Sequence, residues 1–160
     1  MDAQVVISDF EVSRHAEVYS LAKKAWYHAY SGFLDEGTLN ARLNCWYSRE
    51  SHEGMAWNVK NKGYFFKVLQ DANRRLIGFI SGNTRTGVLD RLYLDPAEMG
   101  KGYGSRLLEL FLGELKANGI AECRACCDRK NRLGLEFYRR KGFRVIEEHG
   151  EDYALAKAVE

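Results

Sequence analysis

A glycine-rich loop between a predicted strand and a predicted helix is the feature that most constrains this chain. The apolar residues 92–94 predict the end of a strand, and Pro96, the only proline in the sequence, terminates it. Glycines follow at three alternate positions, Gly100, Gly102 and Gly104. The apolar residues between 107 and 115 then have the spacing of an amphipathic helix. Glycines allow neighbouring N–H groups to converge, and a helix start adds unpaired N–H groups, so the loop predicts a phosphate or diphosphate seat.

The spacing of the glycines excludes two common phosphate loops. A nucleoside-triphosphate loop requires Gly-x-x-x-x-Gly-Lys followed by Ser or Thr, and the chain contains no such run. A dinucleotide loop requires Gly-x-Gly-x-x-Gly early in a βαβ unit, whereas this loop lies beyond the middle of the chain and has Leu107 at the third position. A tight turn that only leads into a helix remains the alternative interpretation.

Hydrophobic periodicity predicts a mixed fold of strands and helices. The predicted strands cover residues 5–8, 64–70, 76–82, 88–94, 120–127, 144–148 and 153–158. The predicted helices cover 13–30, 36–47, a segment through 107–115, and 133–143, whereas the polar segment 48–62 is left unassigned. The order βααβββαβαββ predicts an α/β (α+β) fold, a mixed sheet with helices on both faces, in one domain of residues 1–160.

The second half of the chain carries a family resemblance. After the glycine loop and its helix come a β-like run at 120–127, then Asn131, the pair Phe137-Tyr138 and the pair Gly142-Phe143. Because these motifs follow one another in this order, the chain resembles the GNAT superfamily of acyl-CoA N-acyltransferases, over roughly residues 64–158.

The segment of residues 25–33, Ala-Trp-Tyr-His-Ala-Tyr-Ser-Gly-Phe, also resembles the first-helix region of many small GNAT members. The resemblance implies a mostly antiparallel sheet of about seven strands with about four helices. It further implies that the sheet splays in the middle, between the strands that end at Leu94 and Cys127.

The resemblance implies acetyl-CoA as the acyl donor. It assigns these residues to the cofactor: Leu92, Tyr93, Leu94, Met99, Gly100, Lys101, Gly102, Tyr103, Gly104, Ser105, Arg106, Asn131 and Tyr138. Splaying would leave N–H and C=O groups at 92–94 free for the amide-rich pantetheine arm. Family loops usually begin with Gln or Arg where this chain has Met99, so Lys101 or Arg106 is expected to supply the positive charge instead. Asn131 is expected to bind the pantetheine arm, to cap its helix, or both.

The implied reaction moves an acetyl group from a thioester to an amine. Only a neutral amine attacks, and deprotonating a lysine-like amine at pH 7 costs about 4.6 kcal/mol. Asp90 interrupts an apolar strand and is the candidate group that accepts this proton or attracts a cationic substrate, with an ion pair to Arg91 or to another nearby basic residue as the alternative. Tyr138 is the candidate general acid for the leaving thiolate, with simple packing as its alternative. The family implies that an N–H group at 92–94 stabilises the oxyanion.

Acceptor specificity is expected to come from the first two helices and their connection. The candidate substrate-binding residues are Trp26, Tyr30, Phe33 and Asp90. An aromatic mouth of this kind suits an aliphatic amine chain or a cation. For Trp26, simple core packing is the preferred alternative.

Composition excludes several other functions. A net charge of +2 is too small to indicate nucleic-acid binding. The sequence lacks an apolar run of the ~20 residues that a membrane span needs and lacks a signal-peptide core, so we expect a cytoplasmic protein that does not bind membranes. Cys123, Cys126 and Cys127 fall in or beside one predicted strand and cannot all point at one zinc ion, and the four histidines are dispersed, so no metal is expected.

The sequence therefore predicts an N-acetyltransferase. It would transfer an acetyl group from acetyl-CoA to a primary amine of a small molecule or peptide, by direct attack in a ternary complex. A protein N-terminal or lysine acetyltransferase is the second hypothesis, and a non-catalytic acyl-CoA-binding regulator is the third. Exposed edge strands and many aromatic residues favour a homodimer. The sequence does not identify the acceptor amine.

Overall fold

Seven strands form one open sheet in the computed structural model, which describes residues 4–160. The strands are β1 (Val6–Asp9), β2 (Tyr64–Gln70), β3 (Leu76–Asn83), β4 (Val88–Leu94), β5 (Glu122–Asp128), β6 (Arg144–His149) and β7 (Asp152–Ala158). The helices are α1 (His15–Tyr30), α2 (Glu36–Trp46), α3 (Arg49–Lys62), α4 (Tyr103–Ala117) and α5 (Arg132–Arg140), with short 3-10 turns at Val12–Arg14 and Pro96–Glu98. The predicted strands agree with these to within two residues at each end.

Over residues 4–160, no helix is long and apolar enough to cross a membrane.

The sheet has the order β1-β2-β3-β4-β5-β7-β6, and it is antiparallel except where β4 lies beside β5. These two parallel strands pair only at Val88 with Arg124 and at Leu89 with Ala125. Gly87 directly precedes β4 and allows the two strands to come together at this end, which we call the closed end. Its φ is 84°, and a Cβ there would collide with the Glu122 carbonyl oxygen. Beyond Leu89 the strands diverge, which confirms the mixed α/β fold with a sheet splayed in its middle.

Helices cover both faces of the sheet and enclose two apolar clusters. One cluster centres on α4, whose Leu107, Leu108, Phe111 and Leu115 are fully buried. Gly82 lets α4 approach β3 closely, since a Cβ there would lie 2.7 Å from the Phe111 ring. The other cluster packs α1 and α2 on the opposite face, with Val18 and Leu43 completely buried. Because each face buries apolar side chains, β2 and β3 are apolar along almost their whole length.

Helix α3 occupies the segment that hydrophobic periodicity leaves unassigned. It begins after Ser48, whose hydroxyl oxygen accepts a hydrogen bond from the Ser51 N–H at 3.1 Å, and it ends at Gly63 in the left-handed conformation, with φ at 67°. Three half-buried apolar residues pack it on the core: Met55, Ala56 and Val59. This apolar stripe is too sparse to produce a clear period, and the two caps were the available signal.

A buried histidine also holds α3 in place. The His52 side chain is completely buried, and its Nδ1 lies 2.7 Å from Nδ1 of His15. Its Nε2 is buried with no hydrogen-bond partner in the described chain. Burial, together with the smaller effect of the nearby charges of His15 and Arg91, lowers the pKa of His52 from 6.5 to about 4. The folded protein therefore keeps His52 neutral well below the pH at which an unfolded histidine is protonated.

Replacing His52 should weaken the acid sensitivity of the fold. The depressed pKa contributes stability that is present above pH 6.5 and is lost as the pH falls towards 4, and it amounts to about 3 kcal/mol. Denaturant unfolding at several pH values should therefore show a shallower loss of stability for His52→Leu over this window than for the unaltered protein. His28→Gln is the control, because His28 is exposed. An identical pH profile for His52→Leu and the unaltered protein would contradict this assignment.

Candidate active site

The glycine loop, residues 99–106, presents a row of unpaired backbone donors. None of the N–H groups of residues 100–105 donates a hydrogen bond within the described chain, and the next one, of Arg106, donates to the Gly102 carbonyl oxygen at 3.1 Å. Gly100 and Gly102 have φ angles of 80° and 86°, and a Cβ at either position would meet nothing within 4 Å. These two glycines are therefore needed for backbone conformation and not for space. The row ends at the N-terminus of α4, which favours a bound anion.

Side-chain charges around the loop are unequally available. Glu98 pairs with Lys101 at 2.8 Å and with Arg75 at 3.3 Å. The hydrogen bond from Lys101 to Glu98 raises the pKa of Lys101. Arg106 is exposed and has no carboxylate within 4 Å in the part of the chain that the structure describes. Of the two residues expected to compensate for Met99, Arg106 is the one whose charge is not already engaged.

Gly104 joins the glycine loop to the rest of the site. A Cβ on Gly104 would lie 3.2 Å from the ring of Phe137 on α5 and 3.6 Å from Leu94 at the end of β4. The loop therefore packs directly against the diverging end of β4 and against the residue that precedes Tyr138. The structure thus brings together three groups of predicted residues that are distant in sequence: the loop, residues 92–94, and Tyr138.

Tyr138 lies half-buried on α5, with its ring 5.1 Å from that of Phe143 and 5.5 Å from that of Phe137. Its hydroxyl makes no hydrogen bond to any group in residues 4–160. Burial raises the pKa of Tyr138, and the nearby thiols of Cys127 and Cys123 raise it further. The phenol is therefore neutral over the physiological pH range, and its hydroxyl is free to donate a hydrogen bond.

Asn131 caps α5 and ties it to α1. Its Oδ1 accepts a hydrogen bond from the Gly134 N–H at 3.0 Å, and its Nδ2 donates to the Tyr30 hydroxyl at 3.3 Å. Gly134 is required here, because a Cβ would lie 2.7 Å from Asn131 Nδ2 and 2.9 Å from Cys127 Sγ. The capping role predicted for Asn131 is thus observed, and the amide keeps hydrogen-bonding capacity that these two contacts do not use.

A cavity of about 280 Å³ lies beside β4, and we name it the β4 pocket. Its lining residues are Trp26, Trp46, Tyr47, Met55, Tyr64, Asp90, Arg91 and Tyr93. Two of the predicted substrate residues, Trp26 and Asp90, are among them. Trp26 is also buried in the core, as its packing alternative predicts, and its role in substrate binding stays a prediction.

The other two predicted substrate residues lie behind the β4 pocket. Tyr30 packs on Trp26 with ring centroids 5.1 Å apart, and Phe33 packs on Tyr30 at 5.4 Å. Neither is a lining residue, because the end of α1 turns them towards the start of α5. Sequence analysis missed five of the lining residues: Arg91 on β4, Trp46 and Tyr47 at the end of α2, Met55 on α3 and Tyr64 on β2. Only the tertiary fold places the last four beside β4.

A β-bulge explains how two consecutive residues of β4 line one pocket. Leu89 pairs with Gly82 and Arg91 pairs with Ser81, so Asp90 is an extra residue with no partner on β3. Consecutive side chains of a regular strand point to opposite faces, and a bulge re-aims them. The bulge therefore places a carboxylate and a guanidinium next to each other in the pocket lining.

Asp90 is held by a neutral group. The Tyr64 hydroxyl donates a hydrogen bond to Asp90 Oδ2 at 2.6 Å. Burial raises the pKa of Tyr64, and the hydrogen bond to Asp90 raises it further, so Tyr64 remains a neutral donor. Asp90 forms no ion pair among residues 4–160, so the alternative of an ion pair with Arg91 is wrong for this structure.

The cysteines form neither a disulfide nor a metal site in the described residues. All four are free thiols, and no cluster of three His, Cys, Asp or Glu side chains within residues 4–160 could hold a metal ion. Burial raises the pKa of the Cys123 and Cys127 thiols to about 12, so neither is a thiolate near neutral pH. Both pack as small core residues beside α5 and the site.

Comparison with known proteins agrees with this geometry. The model of the acetyltransferase (GNAT) family matches residues 15–143. The spermidine N(1)-acetyltransferase of Thermoplasma acidophilum is 30% identical over 142 residues, which cover 88% of this chain and 88% of that protein.

Solved structures show the same fold. The crystal structure of the PaiA N-acetyltransferase from Thermoplasma acidophilum in complex with coenzyme A superposes with a TM-score of 0.90 at 27% identity, covering 97% of this chain and 99% of that one. An acetyltransferase of the GNAT family from Staphylococcus aureus superposes with a TM-score of 0.78 at 15% identity, covering 98% of this chain and 100% of the other. At this lower identity the second likeness concerns the fold alone.

Proposed function

The chain belongs to the acetyltransferase (GNAT) family and is an N-acetyltransferase that uses acetyl-CoA, and we propose that its acceptor is the primary amine of a small molecule held in the β4 pocket. The observation that carries this proposal is the position of the pocket, which shares β4 with the diverging end of the sheet. Its volume of about 280 Å³ and its aromatic lining suit a small amine. The spermidine acetyltransferase relative is named for an amine of this class.

The residues of the glycine loop fit the diphosphate of coenzyme A. The unpaired N–H groups of residues 100–105 and the start of α4 supply donors, and Arg106 supplies an unengaged positive charge. The side of β4 that faces away from β3 leaves residues 92–94 without a β5 partner, which suits the amides of the pantetheine arm. Asn131 retains capacity for a further hydrogen bond to the same arm.

The same geometry supports the catalytic roles that we propose for Asp90, residues 92–94 and Tyr138. Acetyl-CoA supplies the activated acetyl group when it is bound. Asp90 receives the proton of the incoming amine, directly or through water, and Tyr64 keeps its carboxylate oriented. An N–H group at 92–94 stabilises the oxyanion that forms when the amine attacks directly. Tyr138 donates the proton that the leaving thiolate requires.

Two other hypotheses remain distinguishable by assay. A protein N-terminal or lysine acetyltransferase would acetylate peptides but not free amines, and a non-catalytic regulator would bind acetyl-CoA without thiol release. We test these with a thiol-release assay over an amine and peptide panel, after calorimetry with acetyl-CoA. Turnover of small amines supports the main proposal, whereas binding without turnover on any acceptor contradicts it.

We also propose a single domain and a homodimer. The two apolar clusters share one sheet, which supports one acetyltransferase domain over residues 4–160. The edge strand β6 is exposed along its whole length, with Val145 and Ile146 at the surface, and such an edge suits a second copy. Sedimentation analysis tests the dimer.

A cytoplasmic location remains a prediction, which the free state of all four cysteines supports.

Substituting Gly102 should weaken cofactor binding. Its φ of 86° costs an alanine about 1 kcal/mol, so Gly102→Ala should shift the free loop out of the binding conformation and should bind coenzyme A about fivefold more weakly. Isothermal titration calorimetry measures this directly. Gly113→Ala is the matched control, since a Cβ at Gly113 on the same helix meets nothing within 4 Å and its φ is ordinary. Unchanged affinity in a folded Gly102→Ala variant would argue against the loop as the diphosphate seat.

Removing the Tyr138 hydroxyl should slow turnover while sparing binding. Loss of a general acid typically reduces kcat by about 10²-fold or more, and the phenyl ring of Tyr138→Phe preserves the packing against Phe143. Steady-state kinetics with saturating acetyl-CoA measure the loss. Tyr19→Phe serves as the control, because the Tyr19 hydroxyl bonds only to Asn44 on the outside of α1. Full turnover in Tyr138→Phe would exclude the role.

A further inference from the structure

The charges in the β4 pocket narrow the class of acceptor. Of the eight residues that line it, only Asp90 and Arg91 are charged, and the others are aromatic except for Met55. The β-bulge places these two opposite charges in one lining although they are consecutive in the chain. A fixed positive charge weakens the binding of a simple amine, because a guanidinium repels a cationic substrate. The presence of Arg91 therefore needs another explanation if the pocket binds amines.

Contacts with three neighbouring groups hold the Arg91 guanidinium in position. Its Nη2 donates to the Trp46 carbonyl oxygen at 3.0 Å, and its Nη1 approaches Met55 Sδ at 3.6 Å. The guanidinium carbon also lies 4.4 Å from the centroid of the Tyr47 ring. All three of these neighbours line the same pocket, so they fix the guanidinium at its wall.

None of these contacts neutralises the charge. Arg91 has no carboxylate within 4 Å in residues 4–160, and it is half-buried. A guanidinium has five N–H donors, of which the carbonyl and thioether contacts occupy two. The remaining donors have the planar arrangement that matches a carboxylate.

The Asp90 charge is likewise not neutralised, since its hydrogen-bond partner Tyr64 is a neutral phenol. The pocket lining therefore contains one carboxylate and one guanidinium, and neither has an ion-pair partner within 4 Å in residues 4–160. An amine that also carries a carboxylate complements both groups, whereas a monoamine satisfies one and a diamine places its second cation near Arg91.

We propose that Arg91 makes the β4 pocket selective for small amines that also carry a carboxylate, of the amino-acid class. This inference rests on the proposed function, and it adds the chemistry of the acceptor to it. Asp90 would receive the ammonium end, and Arg91 would bind the carboxylate end. Arg91 is then a specificity residue, with no part in proton transfer.

A matched set of four-carbon acceptors tests the selectivity. The set is 4-aminobutanoate, 1-aminobutane and 1,4-diaminobutane, which share the reacting amine and differ at the far end. The unaltered enzyme should show a kcat/KM for 4-aminobutanoate about tenfold or more above that of 1-aminobutane, with 1,4-diaminobutane lowest. Arg91→Gln should remove this preference through a raised KM for 4-aminobutanoate, and it should lower the KM for 1-aminobutane and 1,4-diaminobutane because the repulsion between the guanidinium and these cations is lost.

Two further variants separate recognition from structural support. Arg91→Lys keeps the charge while losing the planar stack on Tyr47, so it should retain a preference for 4-aminobutanoate even where stability falls. Arg124→Gln is the control, because Arg124 is exposed on β5, pairs with Glu122 and is not a lining residue. It should leave all three acceptors unaffected. A purely structural Arg91 would instead change the three acceptors in parallel.

The outcomes distinguish this inference from the function on which it rests. Equal or better turnover of 1-aminobutane or 1,4-diaminobutane by the unaltered enzyme overturns the selectivity while leaving the acetyltransfer to small amines intact. The same holds if Arg91→Gln keeps the preference for 4-aminobutanoate. Coenzyme A binding without turnover of any amine in a wider panel overturns the proposed function, and the selectivity with it.

Discussion

The divergence of β4 from β5 is the constraint on which the rest of the site depends. The two parallel strands share only two residue pairs, and Gly87 allows them to approach each other at the closed end, where a side chain would collide with Glu122. Beyond that point β4 has sheet contacts on one side only, which leaves backbone groups free where the glycine loop, α5 and the β4 pocket meet. A fully paired β4 would satisfy those groups and would place a strand where the cofactor arm is proposed to lie.

One chain of contacts couples the acceptor side of the site to the cofactor side. Trp26 lines the β4 pocket and packs on Tyr30, whose hydroxyl accepts a hydrogen bond from Asn131 at the start of α5. Helix α5 in turn carries Tyr138. Because Trp26, Tyr30 and Asn131 are buried and Tyr138 is half-buried, core packing and not a mobile loop sets the distance between the β4 pocket and the proposed general acid. The site is therefore preorganised in the absence of ligand.

Much of this arrangement could be predicted from the sequence, where local rules apply. The glycine loop, the Asn cap and the strands 64–70 and 88–94 depend on neighbouring residues, and the structure reproduces them. Helix α3 was not predicted because its apolar stripe is sparse and its buried contact is a histidine, His52, which hydrophobic patterns do not reveal. The bulge at Asp90 depends on register with β3, and no feature of β4 alone discloses it. The pocket residues from α2 and α3 come together only through tertiary packing.

The central claim is that the unpaired N–H groups at residues 100–105 hold the diphosphate of coenzyme A. Backbone amide NMR of the full chain, titrated in parallel with coenzyme A and with pantetheine, tests it most directly. Coenzyme A should shift the amide signals of residues 100–105 and of 92–94, whereas pantetheine, which lacks the diphosphate, should shift those of 92–94 and leave 100–105 unchanged. Saturation by coenzyme A with the signals of 100–105 unmoved and others perturbed in their place would contradict the account.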